Sequence, residues 1–156
     1  MIKILFICHG NICRSPMAEF WFRHLLTEEG LGEQVEVASA ATSTEEIWNG
    51  IGNPVHSGTR NLLKRYGIST EGKRAVQLKK SDYGKYDYIL GMDSWNLKNM
   101  MRILGSDPEH KVHLLLDYSK NPRDIADPWY TGDFETTFQD IEEGCQGLLD
   151  YIKGTL

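Results

Sequence analysis

The stretch that most constrains the fold lies at the very start of the chain. Ile2-Lys3-Ile4-Leu5-Phe6-Ile7-Cys8 is a near-continuous apolar run, ended by His9-Gly10-Asn11. A strand of this kind is expected where both faces of a sheet are covered, the usual situation in parallel sheets. Parallel strands are joined by long crossovers, most often helices, and the rest of the chain reads that way. Ser15 can cap a helix whose first turn accepts Pro16. Ala18, Trp21, Phe22 and Leu25 then recur at helical spacing, with Gly30 and Gly32 as the stop. Residues 35–39 alternate like a short strand, and residues 41–53 read as a polar loop. Asn53-Pro54 opens a second helix carrying Val55, Thr59, Leu62, Leu63 and Tyr66, stopped by Gly67. A third strand is expected over 86–92. Asp93 or Ser94 then caps a helix with Leu97, Met100, Met101 and Leu104, ended by Gly105. A fourth strand over 112–116, a Pro- and Asp-rich loop over 117–132 and a long last helix from Phe134 to Ile152 complete the pattern. Alternation of this kind implies an α/β domain built on a parallel sheet.

Composition narrows the function classes. At 156 residues, the whole span 1–156 is expected to be one domain, large enough for a core without disulfides. Hydrophobic residues at 40% and charged residues at 25% are ordinary for a globular chain. The net charge of -5, with no basic stripe, argues against a nucleic-acid partner. No apolar run nears the ~20 residues of a membrane span, and the run ending at Cys8 is too short for a signal peptide. Cysteines at 8, 13 and 145 are an odd number with no disulfide framework. A reducing, cytoplasmic setting is therefore expected, leaving signal-independent export open, and any special cysteine is expected to be reactive.

Chemistry concentrates in Cys8-His9-Gly10-Asn11-Ile12-Cys13-Arg14-Ser15, between the buried strand and the first helix. Backbone N–H groups of His9, Gly10, Asn11, Ile12 and Cys13 can converge there on one anion, and the helix start adds its positive end. Gly10 and Asn11 tolerate the left-handed backbone that a tight loop needs. Arg14 supplies a planar fork for two phosphate oxygens. The same positive field favours the thiolate of Cys8, a nucleophile at the base of a phosphate cradle. Other phosphate motifs fit poorly. No Gly-Lys-Ser/Thr ends the loop, Gly50-Ile51-Gly52 follows no strand, and Cys8, His9 and Cys13 are too few for zinc.

Residues 8–16 satisfy Cys-x-Gly-Asn-x-Cys-Arg-Ser-Pro, and Asp127-Pro128-Trp129-Tyr130 matches a second signature of Asp-Pro followed by aromatics. With residues 37–40 and Gly91-Met92-Asp93, the chain resembles the low-molecular-weight protein tyrosine phosphatases nearly end to end. The resemblance implies a doubly wound four-stranded parallel sheet, order 2-1-3-4, with helices on both faces (a flavodoxin-like arrangement) and the loop at its topological switch point. It implies a metal-independent hydrolase, without cofactor, that acts on phosphotyrosine proteins and small aryl phosphates and releases inorganic phosphate. Cys8 would form a phosphocysteine, Arg14 would hold the transferring phosphoryl group, and Asp127 would act as general acid and then base. Ser15 would hydrogen-bond the Cys8 thiolate, while Asn11 and Ser39 hold the loop. Cys13 would be a redox partner of Cys8. Trp48, Trp129 and Tyr130, with Ile12, would wall an aryl-binding cleft.

One departure stands out. Members commonly carry a histidine in His-x-Ala-Arg-Gln that buttresses the loop; here residues 72–77 read Gly-Lys-Arg-Ala-Val-Gln, with Lys73 or Gly72 in its place. Three rival readings are weaker. An arsenate reductase of this fold needs two more closely spaced cysteines. A protein-arginine phosphatase carries threonine where this loop has Ile12. A non-catalytic flavin-binding module would not need Cys8, Arg14 and Asp127 together. Should Asp127 fail as the acid, Asp93 and Asp124 are the next candidates. His56, His110 and His113 read as surface or packing residues, and Cys145 as a buried position on the last helix.

Overall fold

The computed structural model describes all 156 residues. Its centre is β1 (Ile2–Cys8), which pairs in parallel with β2 (Val35–Ala41) from Ile2↔Val35 to Cys8↔Ala41. Between them runs α1 (Arg14–Glu28). On its other side β1 pairs with β5 (Tyr88–Gly91), and β5 pairs with β6 (Val112–Leu114). The four-stranded order β2-β1-β5-β6 is the expected 2-1-3-4. Because side chains alternate along a strand, β1 feeds both cores. Ile4, Phe6 and Cys8 pack with Phe22, Leu26 and Leu148, while Leu5 and Ile7 pack with Ile89, Met100 and Leu104. No helix is long and apolar enough to cross a membrane.

Several elements differ from the sequence reading. Residues 41–53 hold a small antiparallel hairpin of β3 (Ile47–Trp48) and β4 (Ile51–Gly52). Asn49 and Gly50 turn it, both at positive φ (51° and 75°), the backbone that an Asn-Gly hairpin turn requires. The second helix, α2 (Ser57–Lys64), starts later than Pro54, because the His56 ring nitrogen caps it by accepting from the Gly58 N–H at 3.0 Å. A one-turn helix, α3 (Asp82–Lys85), precedes β5. Asp93 caps α4 (Ser94–Leu104) in a reciprocal box with Asn96. The strand expected to Leu116 stops at Leu114, where residues Leu115–Tyr118 tighten into a 3₁₀ turn. Inside the Pro- and Asp-rich loop sits a short helix, α5 (Pro128–Thr131), capped by Asp127. The last helix is α6 (Phe134–Lys153), with Phe138, Ile141, Cys145, Leu148 and Ile152 buried along one stripe.

Candidate active site

The C-terminal end of β1 is where the sheet's connections diverge, to β2 on one side and β5 on the other. Open α/β sheets bind ligands at such a point. Cys8 closes the strand and Arg14 opens α1, so residues 9–13 form the turn between them. Ser15 is not the helix cap. It lies inside α1, fully buried, because its hydroxyl is committed to the loop.

That commitment forms a directed chain. Asn11 sits at φ 58°, a conformation costly for most side chains. Three hydrogen bonds hold it: Nδ2 donates to Ser15 Oγ at 2.8 Å and to Ser39 Oγ at 2.9 Å, and Oδ1 accepts from the Val76 N–H at 3.1 Å. Since Ser15 Oγ already accepts from Asn11, its own proton can point to Cys8 Sγ, 3.0 Å away. Ser39 likewise donates onward to Glu19 Oε1, and Glu19 Oε2 accepts from Arg23 Nη2 at 2.7 Å. Lys73, which with Gly72 stands where the resemblance leads one to expect a histidine, closes the group. Its Nζ donates to the Ser39 carbonyl at 2.9 Å and lies 3.6 Å from Glu19 Oε1. Burial lowers the Lys73 pKa and the Glu19 charge opposes that shift. The loop therefore keeps a buttress, made here by a buried ion pair.

Arg14 is 2% exposed. Its Nη1 donates to Asp93 Oδ2 at 2.6 Å and to the Ile125 carbonyl at 2.8 Å; its Nη2 reaches Asp127 Oδ2 at 3.4 Å. Burial works against the guanidinium charge, but Cys8, Asp93 and Asp127 hold its pKa above the ordinary value. With Nη1 fully engaged, Nε and Nη2 are the donors left for an anion. Asp127 spends its other oxygen on the Trp129 N–H at 3.0 Å, which fixes the carboxylate at the start of α5. Burial, and next the Cys8 charge, push the Cys13 thiol up to about 12.

A cleft of about 100 Å³ opens over this loop. Its walls include Cys8, Ile12, Arg14, Asp127, Trp129 and Tyr130, with His9, Gly10 and Cys13 also reaching it. The side chains of Asn11, Ser15 and Ser39 lie behind the loop, at 1% exposure or less. Trp48 is not brought into the cleft: it projects from β3, 79% exposed. Glu45 and Glu46, which the sequence did not single out, line the cleft instead. His56 also gains a role, packing its ring on Trp129 and Phe134 at centroid distances of 5.7 and 5.2 Å. Glu19, one turn beyond Ser15 on α1, could have been suspected from that spacing; the reach of Lys73 to Ser39, 34 residues away, could not. A larger cleft of about 520 Å³, lined by Arg60, Lys64, Lys73 and Arg74 among others, holds no cysteine or histidine.

The family model described as low molecular weight phosphotyrosine protein phosphatase matches residues 3–155. The protein is 42% identical over 155 residues to the low molecular weight protein-tyrosine-phosphatase YfkJ of Bacillus subtilis, covering 98% of this chain and 97% of that one. It is 40% identical to the human low molecular weight phosphotyrosine protein phosphatase, covering 95% and 94% of the two chains. The crystal structure of YfkJ superposes with a TM-score of 0.93 at 41% identity, covering 99% of this chain and 96% of that one. A match of this extent, on a chain that folds a thiol, a guanidinium and a carboxylate around one cleft, means that the protein belongs to the low molecular weight protein tyrosine phosphatases.

Proposed function

We propose that residues 1–156 act as one domain that hydrolyses phosphotyrosine in proteins, and small aryl phosphates, through a phosphocysteine at Cys8. The observation that carries this reading is the Cys8 thiol, hydrogen-bonded by Ser15, sharing one aromatic-walled cleft with Arg14 and Asp127. In the first step the Cys8 thiolate attacks phosphorus and the phosphorus–oxygen bond to the phenol breaks. Asp127 gives its proton to the departing oxygen. Arg14 and the loop N–H groups carry the charge spread over the equatorial oxygens. In the second step Asp127, now a carboxylate, takes a proton from water as that water attacks phosphorus. The phosphorus–sulfur bond breaks and inorganic phosphate leaves. The Ser15 hydroxyl stabilises the returning thiolate, which makes it a better leaving group.

Ile12, Trp129 and Tyr130 present apolar and aromatic walls suited to a phenyl ring. Kinetics with EDTA present should therefore give a far higher kcat/KM for phosphotyrosine peptides than for matched phosphoserine or phosphoarginine peptides. A phosphoserine is too short to bring its phosphorus to Cys8 from the rim. Equal values for phosphoserine and phosphotyrosine would remove the reading. Ile12→Thr is expected to raise turnover of phosphoarginine relative to phosphotyrosine.

The same loop supports reversible redox control and residence in a reducing cytoplasm, since all three cysteines are free. Hydrogen peroxide would transfer one oxygen to the Cys8 thiolate, its O–O bond breaking to release hydroxide and leave a sulfenic acid. The Cys13 thiolate would then attack that sulfur, expelling hydroxide and forming a disulfide. Cys13 is held protonated by burial and next by the charge on Cys8. Oxidation of Cys8 removes that charge and eases loss of the Cys13 proton, while burial, the larger cause, still opposes it. Peroxide-treated protein should recover activity with thiols, and Cys13→Ser should recover less after the same dose. Equal recovery would exclude Cys13 as the resolving thiol.

A further inference from the structure

The mouth of the phosphate cleft carries fixed carboxylates. Glu45 and Glu46 both line it. His9 Nε2 lies 3.0 Å from Glu45 Oε2, and the Glu45 N–H donates to Ser43 Oγ. Asn53 Nδ2 donates to Glu46 Oε2 at 2.9 Å, and the Asn53 N–H donates to the Glu46 carbonyl at 2.8 Å. The Glu46 stem rests on the phosphate loop, since a Cβ placed on Gly10 would stand 3.1 Å from Glu46 Cγ. Asn53 is neutral, so it positions the Glu46 carboxylate without cancelling its charge. Trp129 and Tyr130, 58% and 83% exposed, are the large aromatic side chains of the lining. Aromatic faces attract guanidinium and ammonium groups.

Apart from the His9 ring against Glu45, no basic side chain of the lining faces these groups for an incoming chain. Arg14 is the one guanidinium in the lining, and it is buried against Asp93 and Asp127. Arg74 is tied to the Gly52 carbonyl and lines the larger cleft instead. The floor of the site thus suits a dianionic phosphate, whereas the rim suits cations. A carboxylate beside the phosphotyrosine would meet like charge at a short distance.

We propose that the cleft selects phosphotyrosine flanked by arginine or lysine. Glu45 and Glu46 are the specificity-determining carboxylates, and the exposed faces of Trp129 and Tyr130 give the same basic side chains an aromatic wall. This rests on the phosphotyrosine reading above and narrows its substrate class. A single exposed ion pair contributes little, so the discrimination is the sum of attraction for one peptide and repulsion of the other.

The test uses two phosphotyrosine peptides of equal length, one with arginine and lysine on both sides and one with aspartate and glutamate. The protein should favour the basic peptide in kcat/KM by roughly tenfold at low salt, and the ratio should shrink as salt is added. In Glu45→Gln/Glu46→Gln the ratio should fall towards one. The ratio is the readout because it is insensitive to any change in overall rate or folded fraction. A ratio near one in the unmodified protein, or a ratio that the double substitution leaves unchanged, would overturn the proposal. If nitrophenyl phosphate is turned over but neither peptide is, the phosphotyrosine reading falls and the proposal falls with it. Comparable turnover of both peptides refutes the charge selection alone.

Discussion

Cys8→Ser is expected to abolish turnover while leaving phosphate binding nearly intact. A serine hydroxyl is scarcely ionised at neutral pH, and the hydrogen-bond partners at position 8, the Ser15 hydroxyl and N–H, are donors that cannot take its proton. The anion site survives because Arg14 is held by Asp93 and the Ile125 carbonyl, not by Cys8, and because Asn11 keeps its bonds to Ser39 and Val76. The loss of kcat on nitrophenyl phosphate should exceed ~10²-fold, the lower edge of what a positioned acid or base alone contributes. Calorimetric titration with inorganic phosphate should still show binding. Residual activity above about one hundredth of the unmodified rate would contradict the assignment of the nucleophile.

Asp127→Asn should separate substrates by their leaving groups. A tyrosine phenol has a pKa of about 10 and departs poorly as an anion. A general acid at position 127 therefore matters most for phosphotyrosine, by about 10²–10⁴-fold. Nitrophenol is a much stronger acid and needs less help. Asparagine can still accept the Trp129 N–H and cap α5, so the substitution removes the proton donor while preserving the local fold. Comparing kcat for tyrosine phosphate and nitrophenyl phosphate, where the first step limits the rate, decides the role. Equal losses on both substrates would mean that Asp127 is not the acid. Asp93 is then a weak substitute, since its two oxygens already serve Arg14 and the Asn96 N–H.

What could be read from the sequence follows from how local each signal is. The apolar run of β1, the stripe of α6 and the loop between Cys8 and Arg14 are contiguous, and they fold where they were expected. The hairpin over 47–52 is absent from the expected elements although Trp48-Asn49-Gly50-Ile51 contains a strong turn signal. Its strands are two residues each, too short to show alternation. Ser15 has the local pattern of a cap, a serine directly before the proline of a first turn. Its hydroxyl instead belongs to a tertiary network that no local pattern displays. Asp93 is the helix cap that its local sequence predicts, and its second oxygen on Arg14 depends on β5 lying beside β1. The carboxylates of Glu45 and Glu46 reach the cleft because residues 41–46 fold back over the loop, with the Thr42 and Ser43 N–H groups donating to the Cys8 and His9 carbonyls.

The partners of Arg14 bear on how the molecule becomes active. Asp93, Ile125 and Asp127 lie 79, 111 and 113 residues further along the chain. Contacts of such separation carry a loop-closure cost that only a docked sheet and its outer helices can offset. A nascent or partly folded chain owns the cysteine, the arginine and the first helix, yet lacks the anchors that aim the guanidinium. Competence is therefore withheld until the last third of the polypeptide is in place. The rate at which catalysis returns during refolding reports completion of the whole topology, and incomplete chains carry the thiol without the aimed phosphate grip that would make it an enzyme.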